Sequence, residues 1–166
     1  RSELMAVKSL IQTVTVGAGG AASIEFTGIP QDGVDLLVLL SARSDSQSIH
    51  LNLNGSASGF TGIRLTGTGS SVLSSAESTQ IGYVAYSAQT ANTFGNASIY
   101  VSNYTSSQNK SISIDSVNEN NASAAIQNLN ATTWANTSAI TALWLGRTSF
   151  NLEQYTTASL YKIKYD

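Results

Sequence analysis

The sequence predicts an all-β protein, an antiparallel two-sheet β-sandwich of the jelly-roll kind, and three observations lead there. Apolar residues recur with a period of two over short runs, the signature of half-buried strands. About ten such runs are spaced roughly 8–15 residues apart, each bounded by Gly, Asn, Ser or Pro, as in sandwiches and barrels. No stretch carries the longer apolar period of an amphipathic helix.

The run from Ile24 to Arg43 organises the rest. Ile24, Phe26 and Ile29 alternate with Glu25 and Thr27, and Pro30, the only proline, closes the run together with Gly33. Leu36 to Leu40 is unbroken apolar sequence and reads as a central strand buried on both faces, with Leu36, Val38 and Leu40 on one side and Leu37 and Leu39 on the other. Ahead of it, Leu10 to Val16 is a β-branched strand, and Gly17-Ala18-Gly19-Gly20 reads as a hairpin turn into Ala22 to Ile29. A phosphate loop does not fit there, because neither a following Lys-Ser or Lys-Thr pair nor a helix pattern is present.

Beyond the centre, Ile49, Leu51 and Leu53 alternate up to Asn54-Gly55, a strong turn signal. Ile63 to Thr66 is a short strand and Ser70 to Gln80 a Ser-rich loop. Ile81 to Tyr86, Ala97 to Tyr104, and Ile112 to Val117 are further strands, the last ending at the turn Asn118-Glu119-Asn120-Asn121. Ala122 to Trp134 alternates weakly through Ile126 and Leu129; Ser138 to Gly146 and Ala158 to Tyr165 complete the set. Arg1 to Leu4 read as a cloning scar or an N-terminal arm, and residues 5–166 as a single β-sandwich domain.

Composition bounds the function. The 166 residues include no cysteine, which excludes disulfides and cysteine zinc sites. Eight Lys and Arg against ten Asp and Glu leave a net charge of −2, so a nucleic-acid surface is not expected. Only 11% of residues are charged, and 26 Ser, 17 Thr and 13 Asn supply the hydration instead. Such a surface can be buried between subunits without heavy charge desolvation. No apolar run reaches the roughly 20 residues of a membrane helix, and no membrane partner is expected.

Catalytic chemistry finds little footing. His50, the only histidine, would have to serve any triad with Asp45 or Asp35, and its place in Ile49-His50-Leu51-Asn52 puts it on the polar face of a strand. Asp115, Asn118, Glu119 and Asn120 offer oxygens but lack the spacing of a calcium loop and read as a solvated turn. Ten acids show no recognisable pairing, so glycoside hydrolysis is not expected. No catalysis, metal or cofactor is expected.

Aromatic residues with amide neighbours suit carbohydrate. Trp144 lies within an apolar strand and reads as core. Trp134, flanked by polar residues, reads as the exposed ring, with Tyr104 and Asn136 as companions in a glycan-stacking platform.

The segments S-L-I-Q-T-V-T-V-G-A-G-G-A-A-S-I-E-F-T-G-I-P, D-L-L-V-L-L-S-A-R, L-N-L-N-G-S, A-N-T-F-G-N-A-S-I-Y-V-S-N-Y, K-S-I-S-I-D-S and T-T-A-S-L-Y-K-I resemble a family of short structural proteins of tailed bacteriophages, of the tail-fibre and capsid-decoration type. The resemblance runs from Leu10 to Ile163. It implies a non-enzymatic protein on the virion exterior, decorating the capsid or forming part of a fibre as a homotrimer beside other capsid or tail proteins. A carbohydrate-binding, lectin-like module of a tail fibre that recognises a host-surface glycan is the alternative.

Overall fold

The computed structural model describes residues 5–119 and 124–165, and these contain strands and turns but no helix. The fold is all-β, in two sheets. Thirteen strands are described: β1 (Ala6–Thr15), β2 (Ser23–Thr27), β3 (Asp35–Ser44), β4 (Ser48–Leu53), β5 (Phe60–Gly67), β6 (Val72–Glu77), β7 (Gln80–Tyr83), β8 (Ala85–Tyr86), β9 (Gly95–Val101), β10 (Lys110–Glu119), β11 (Ala125–Trp134), β12 (Ala142–Gly146) and β13 (Thr157–Tyr165). The large sheet runs β1-β13-β3-β9-β10-β11-β5-β6, with β8 as a short parallel partner of β3. The small sheet runs β2-β12-β4-β7, and all its pairings are antiparallel.

One apolar core lies between the sheets. Ile24, Phe26, Ile49, Leu51, Leu53, Leu143 and Leu145 from the small sheet meet Leu36, Val38, Leu40, Ile99, Val101, Ile112 and Leu160 from the large one. The strand β3 sits near the centre of its sheet, between β13 and β9. Its burial corrects the sequence reading. Leu36, Val38 and Leu40 are 0–3% exposed, but Leu39 is 40% exposed and Leu37 only half-buried, so one face is wet. An unbroken apolar run satisfies a one-sided strand as well as a two-sided one, because only alternate residues meet the core.

The Gly17–Gly20 segment is a turn, closed by the Gly20 amide donating to the Gly17 carbonyl at 3.0 Å, but not a hairpin. Strand β1 pairs with β13 and β2 with β12, so this turn carries the chain from one sheet to the other. The Pro30–Gly33 turn makes the opposite crossing. It is locked by Tyr104, whose hydroxyl donates to the Pro30 carbonyl and accepts from the Gly33 amide. The Ser70 to Gln80 connection, read as loop, contains β6, which pairs with β5 as a hairpin. Its Ser and Ala residues carry little strand propensity, and cross-strand pairing overrides them. Residues 1–4 lie outside the described residues, as do Asn120 and Asn121 of the turn expected at 118–121, whose first two residues end β10.

Strands β11 and β5 invert the usual amphipathicity. On β11, Asn128, Asn130, Thr132 and Trp134 face inward and are buried, while Leu129 on the outer face is 47% exposed. Register aligns Leu129 with Leu65 and Ala131 with Ile63 on that outer face. Ile63 is 56% and Leu65 42% exposed. Strand β6 follows as the sheet edge, with the apolar Val72 and Ala76 on the same outer face.

Candidate functional site

The expected stacking platform does not exist as drawn. Trp134 is 1% exposed: its ring stacks on Phe60 with centroids 6.0 Å apart, and its indole N–H donates to the Ser58 carbonyl at 3.2 Å. Tyr104 is fully buried in the turn lock described above. Asn136 is half-buried and accepts a hydrogen bond from the Ser138 amide at 2.8 Å, a local turn that fixes its own loop. The three residues serve the core and its turns. The physical reason is register, since the pairing of Trp134 with Lys110 and Phe60 puts it on the inward row of β11.

Trp144 takes the place expected of Trp134. Leu143 and Leu145 on either side of it point into the core, so the period-two rule alone turns Trp144 to the outer face of the small sheet. Glu25 on β2 and Asn52 on β4 are its direct cross-strand neighbours. Gly146, the next residue on the same face, leaves room for the ring to lie over the sheet. A Cβ there would come within 2.9 Å of the ring atom Cζ2 and 2.6 Å of the Ala22 carbonyl oxygen. The signal available in the sequence was the pattern Leu-Trp-Leu-Gly, with the ring opposite two core leucines and beside a glycine.

Two grooves flank the half-buried ring. One, of about 200 Å³, is lined by His50, Asn52, Thr79, Arg147 and Thr148 as well as Trp144. The other, of about 290 Å³, lies on the side of Glu25, Thr27 and Gly55. Asn52 and Trp144 line both.

The side chains of the first groove are held. Arg147 stacks its guanidinium over the Phe150 ring, 4.7 Å from the centroid, and its Nη1 donates to the hydroxyls of Ser46 and Ser48, each at 2.5 Å. Three ion pairs join described residues, Arg43–Glu153, Arg64–Glu77 and Lys162–Asp32, and Arg147 is in none of them. His50 Nδ1 shares a 2.8 Å hydrogen bond with the Thr79 hydroxyl. Burial pushes the His50 pKa below its ordinary value, and the Arg147 charge pushes it further, so the ring is neutral at pH 7. The groove therefore holds one permanent positive charge, a neutral imidazole, an amide and two threonine hydroxyls around an indole.

The acids weighed as partners of His50 are occupied elsewhere. Asp35 accepts from the hydroxyls of Tyr100 at 2.5 Å and Tyr165 at 3.0 Å, while Asp45 accepts from the Asn151 amide at 3.1 Å. That bond to Asp35 raises the Tyr100 pKa, with burial adding to it. Asp115 and Asn118 lie within β10 on opposite faces, exposed and buried respectively, so they do not form the solvated turn that the sequence suggests. Asn120 lies outside the described residues. A comparison with protein-family models, one with curated proteins and one with solved structures each found no match.

Proposed function

We propose that this chain is a non-enzymatic structural protein of a tailed-bacteriophage exterior, a jelly-roll-like sandwich that works as an assembled homotrimer. One observation carries the assembly: Ile63, Leu65 and Leu129 form an exposed apolar patch on the outer face of β5 and β11, beside the open edge β6. An isolated protein protects an edge strand with lysine, proline or a bulge, and Val72 to Glu77 contains no lysine or proline and pairs with β5 without a register shift. A second copy of the chain fits this surface best. The patch is apolar and the wider surface is poor in charge, so copies can meet there with little desolvation cost. The number three and the virion setting rest on the phage resemblance, since fibres and many capsid decorations follow threefold symmetry.

Light scattering at micromolar concentration tests it. The expected mass is three times the 17.4 kDa chain, falling to one chain when Leu65→Glu and Leu129→Glu are combined, with the far-ultraviolet circular dichroism unchanged. A single-chain mass for the unaltered protein would remove the stable trimer.

Trp144 favours a second reading, that the outer face of the small sheet binds saccharide as the receptor-recognition face of a fibre. An indole lying over a sheet and bordered by amide, hydroxyl and charged side chains is the composition of a sugar-binding groove. In this reading the platform is Trp144, Asn52 and Glu25, in place of Trp134, Tyr104 and Asn136.

A further inference from the structure

We propose that the groove between Trp144 and Arg147 selects an acidic sugar, a pyranose bearing a carboxylate, an inference that rests on the saccharide reading of Trp144. Charge around the ring is asymmetric. Arg147 lies on one flank and Glu25 on the other, so a ligand stacked on the indole meets a cation at one end and a carboxylate at the other. A carboxylate belongs at the Arg147 end, while neutral hydroxyls belong at the Glu25 end, where they donate to its oxygens.

Arg147 is preorganised for this. Its plane is fixed by Phe150, its Nη1 by two serine hydroxyls that are themselves buried, and no carboxylate among the described residues neutralises it. A planar fork held in place matches a planar carboxylate and loses little freedom on binding. The other cation source in the groove is switched off, since His50 is neutral at pH 7 and tied to Thr79 through Nδ1. One positive charge suits a carboxylate monoanion better than a phosphate dianion. Glu77, whose charge reaches His50, is engaged by Arg64 at 2.9 Å and does not compete for Arg147. Asn52, Thr79 and Thr148 then offer amide and hydroxyl groups to the ring substituents.

Titration of the full chain with methyl glucuronide, methyl glucoside and acetate, followed by amide and indole NMR shifts, tests the site. Glucuronide is expected to move the Trp144 indole and the Asn52 amide, and to bind about tenfold or more tightly than glucoside, the gain expected from one charge-assisted hydrogen bond. Added salt should weaken glucuronide and leave glucoside unchanged. Arg147→Gln should bring the two sugars level, and Trp144→Ala should abolish both. If Arg147→Gln disturbs the Ser46–Ser48 strand start, the salt series on the unaltered protein carries the same test. Equal affinity for the two sugars would overturn the acidic preference while keeping the saccharide reading. Acetate competing as strongly as glucuronide would reduce the site to a simple anion site. No shift with either sugar would overturn the inference and the saccharide reading together, leaving the trimer test untouched.

Discussion

The inner face of the large sheet is two different interiors joined along β10. One row of directly paired residues reads Leu160, Val38, Ile99, Ile114, Asn130, Arg64 across six strands, and the next reads Ala158, Leu40, Ala97, Ser116, Asn128, Thr66. Both rows start apolar and end polar. On the β13-β3-β9 side the small sheet covers the row with leucine, isoleucine and phenylalanine, and burial supplies the stability. On the β11-β5 side the cover narrows to β7, and buried polar groups replace hydrocarbon. Thr66 donates to Asn128 at 2.8 Å and Asn130 to the Gln80 carbonyl at 2.8 Å, yet Ser116 Oγ, Thr132 Oγ1, Asn130 Oδ1 and Asn128 Nδ2 have no partner among the described residues. A mixed set of stranded donors and acceptors is what ordered water satisfies. The apolar side chains missing from this half of the interior stand on the opposite face of the same strands, as Leu129, Leu65 and Ile63, the surface that the proposed trimer would bury.

The largest effect expected comes from the joint between the two halves. Gly82, with φ of +106°, brings β7 so close to β10 that a Cβ would lie 2.0 Å from Ser116 Oγ. Gly82→Ala must turn the unbonded Ser116 hydroxyl aside or push β7 off the polar half, and it strains the backbone in either case, a combined cost on the order of 2–6 kcal/mol. Denaturant unfolding measures it. A cost under about 1 kcal/mol would mean that the polar half is soft enough to give way.

In the apolar half, Leu36→Ala should cost about 2–5 kcal/mol, while Leu39→Ala on the wet face of the same strand should cost no more than about 0.5 kcal/mol in the dissociated chain. Similar losses at both positions would restore the two-sided burial that the apolar run suggests.

The same contrast explains what could be read from the sequence. Strands β2, β3, β4, β9 and β10 announce themselves because Ile, Leu, Val or Phe recur at every second position for at least part of their inward face, and period-two alternation reports the face that seeks the core. On β11 the apolar residues Ile126 and Leu129 stand three apart and fall on opposite faces, so they mark no single face; Leu129 points outward, whereas the residues facing inward at the centre of the strand are Asn128, Asn130 and Thr132. Alternation assigns faces only when hydrophobicity and burial agree, and here they are opposed. Trp134 and Trp144 were exchanged for related reasons. Trp134 sits in polar sequence but on the inward row, and Trp144 sits in apolar sequence but on the outward one. Arg147 and Gly146 were invisible as site residues, because their roles depend on Phe150, Ser46, Ser48 and the Trp144 ring meeting in space.

The smallest effect is the most discriminating between the two interiors. Thr156 is fully buried beside the apolar half, and its hydroxyl both donates to the Arg43 carbonyl at 2.9 Å and accepts from the Arg43 amide at 3.1 Å. Thr156→Val leaves both backbone groups without that partner and should cost about 1–3 kcal/mol. Thr132 is buried on β11 with its hydroxyl unpartnered, so Thr132→Val removes a polar group that the protein does not satisfy. The expected change is near zero or a gain of up to about 1 kcal/mol, since an isosteric apolar replacement escapes the desolvation penalty. Unfolding free energies of the two variants, compared under one condition, decide the nature of the polar half. A loss at Thr132 as large as that at Thr156 would show that bound water completes the hydroxyl's hydrogen bonds, and the polar interior would then be a hydrated seam held as firmly as the core beside it.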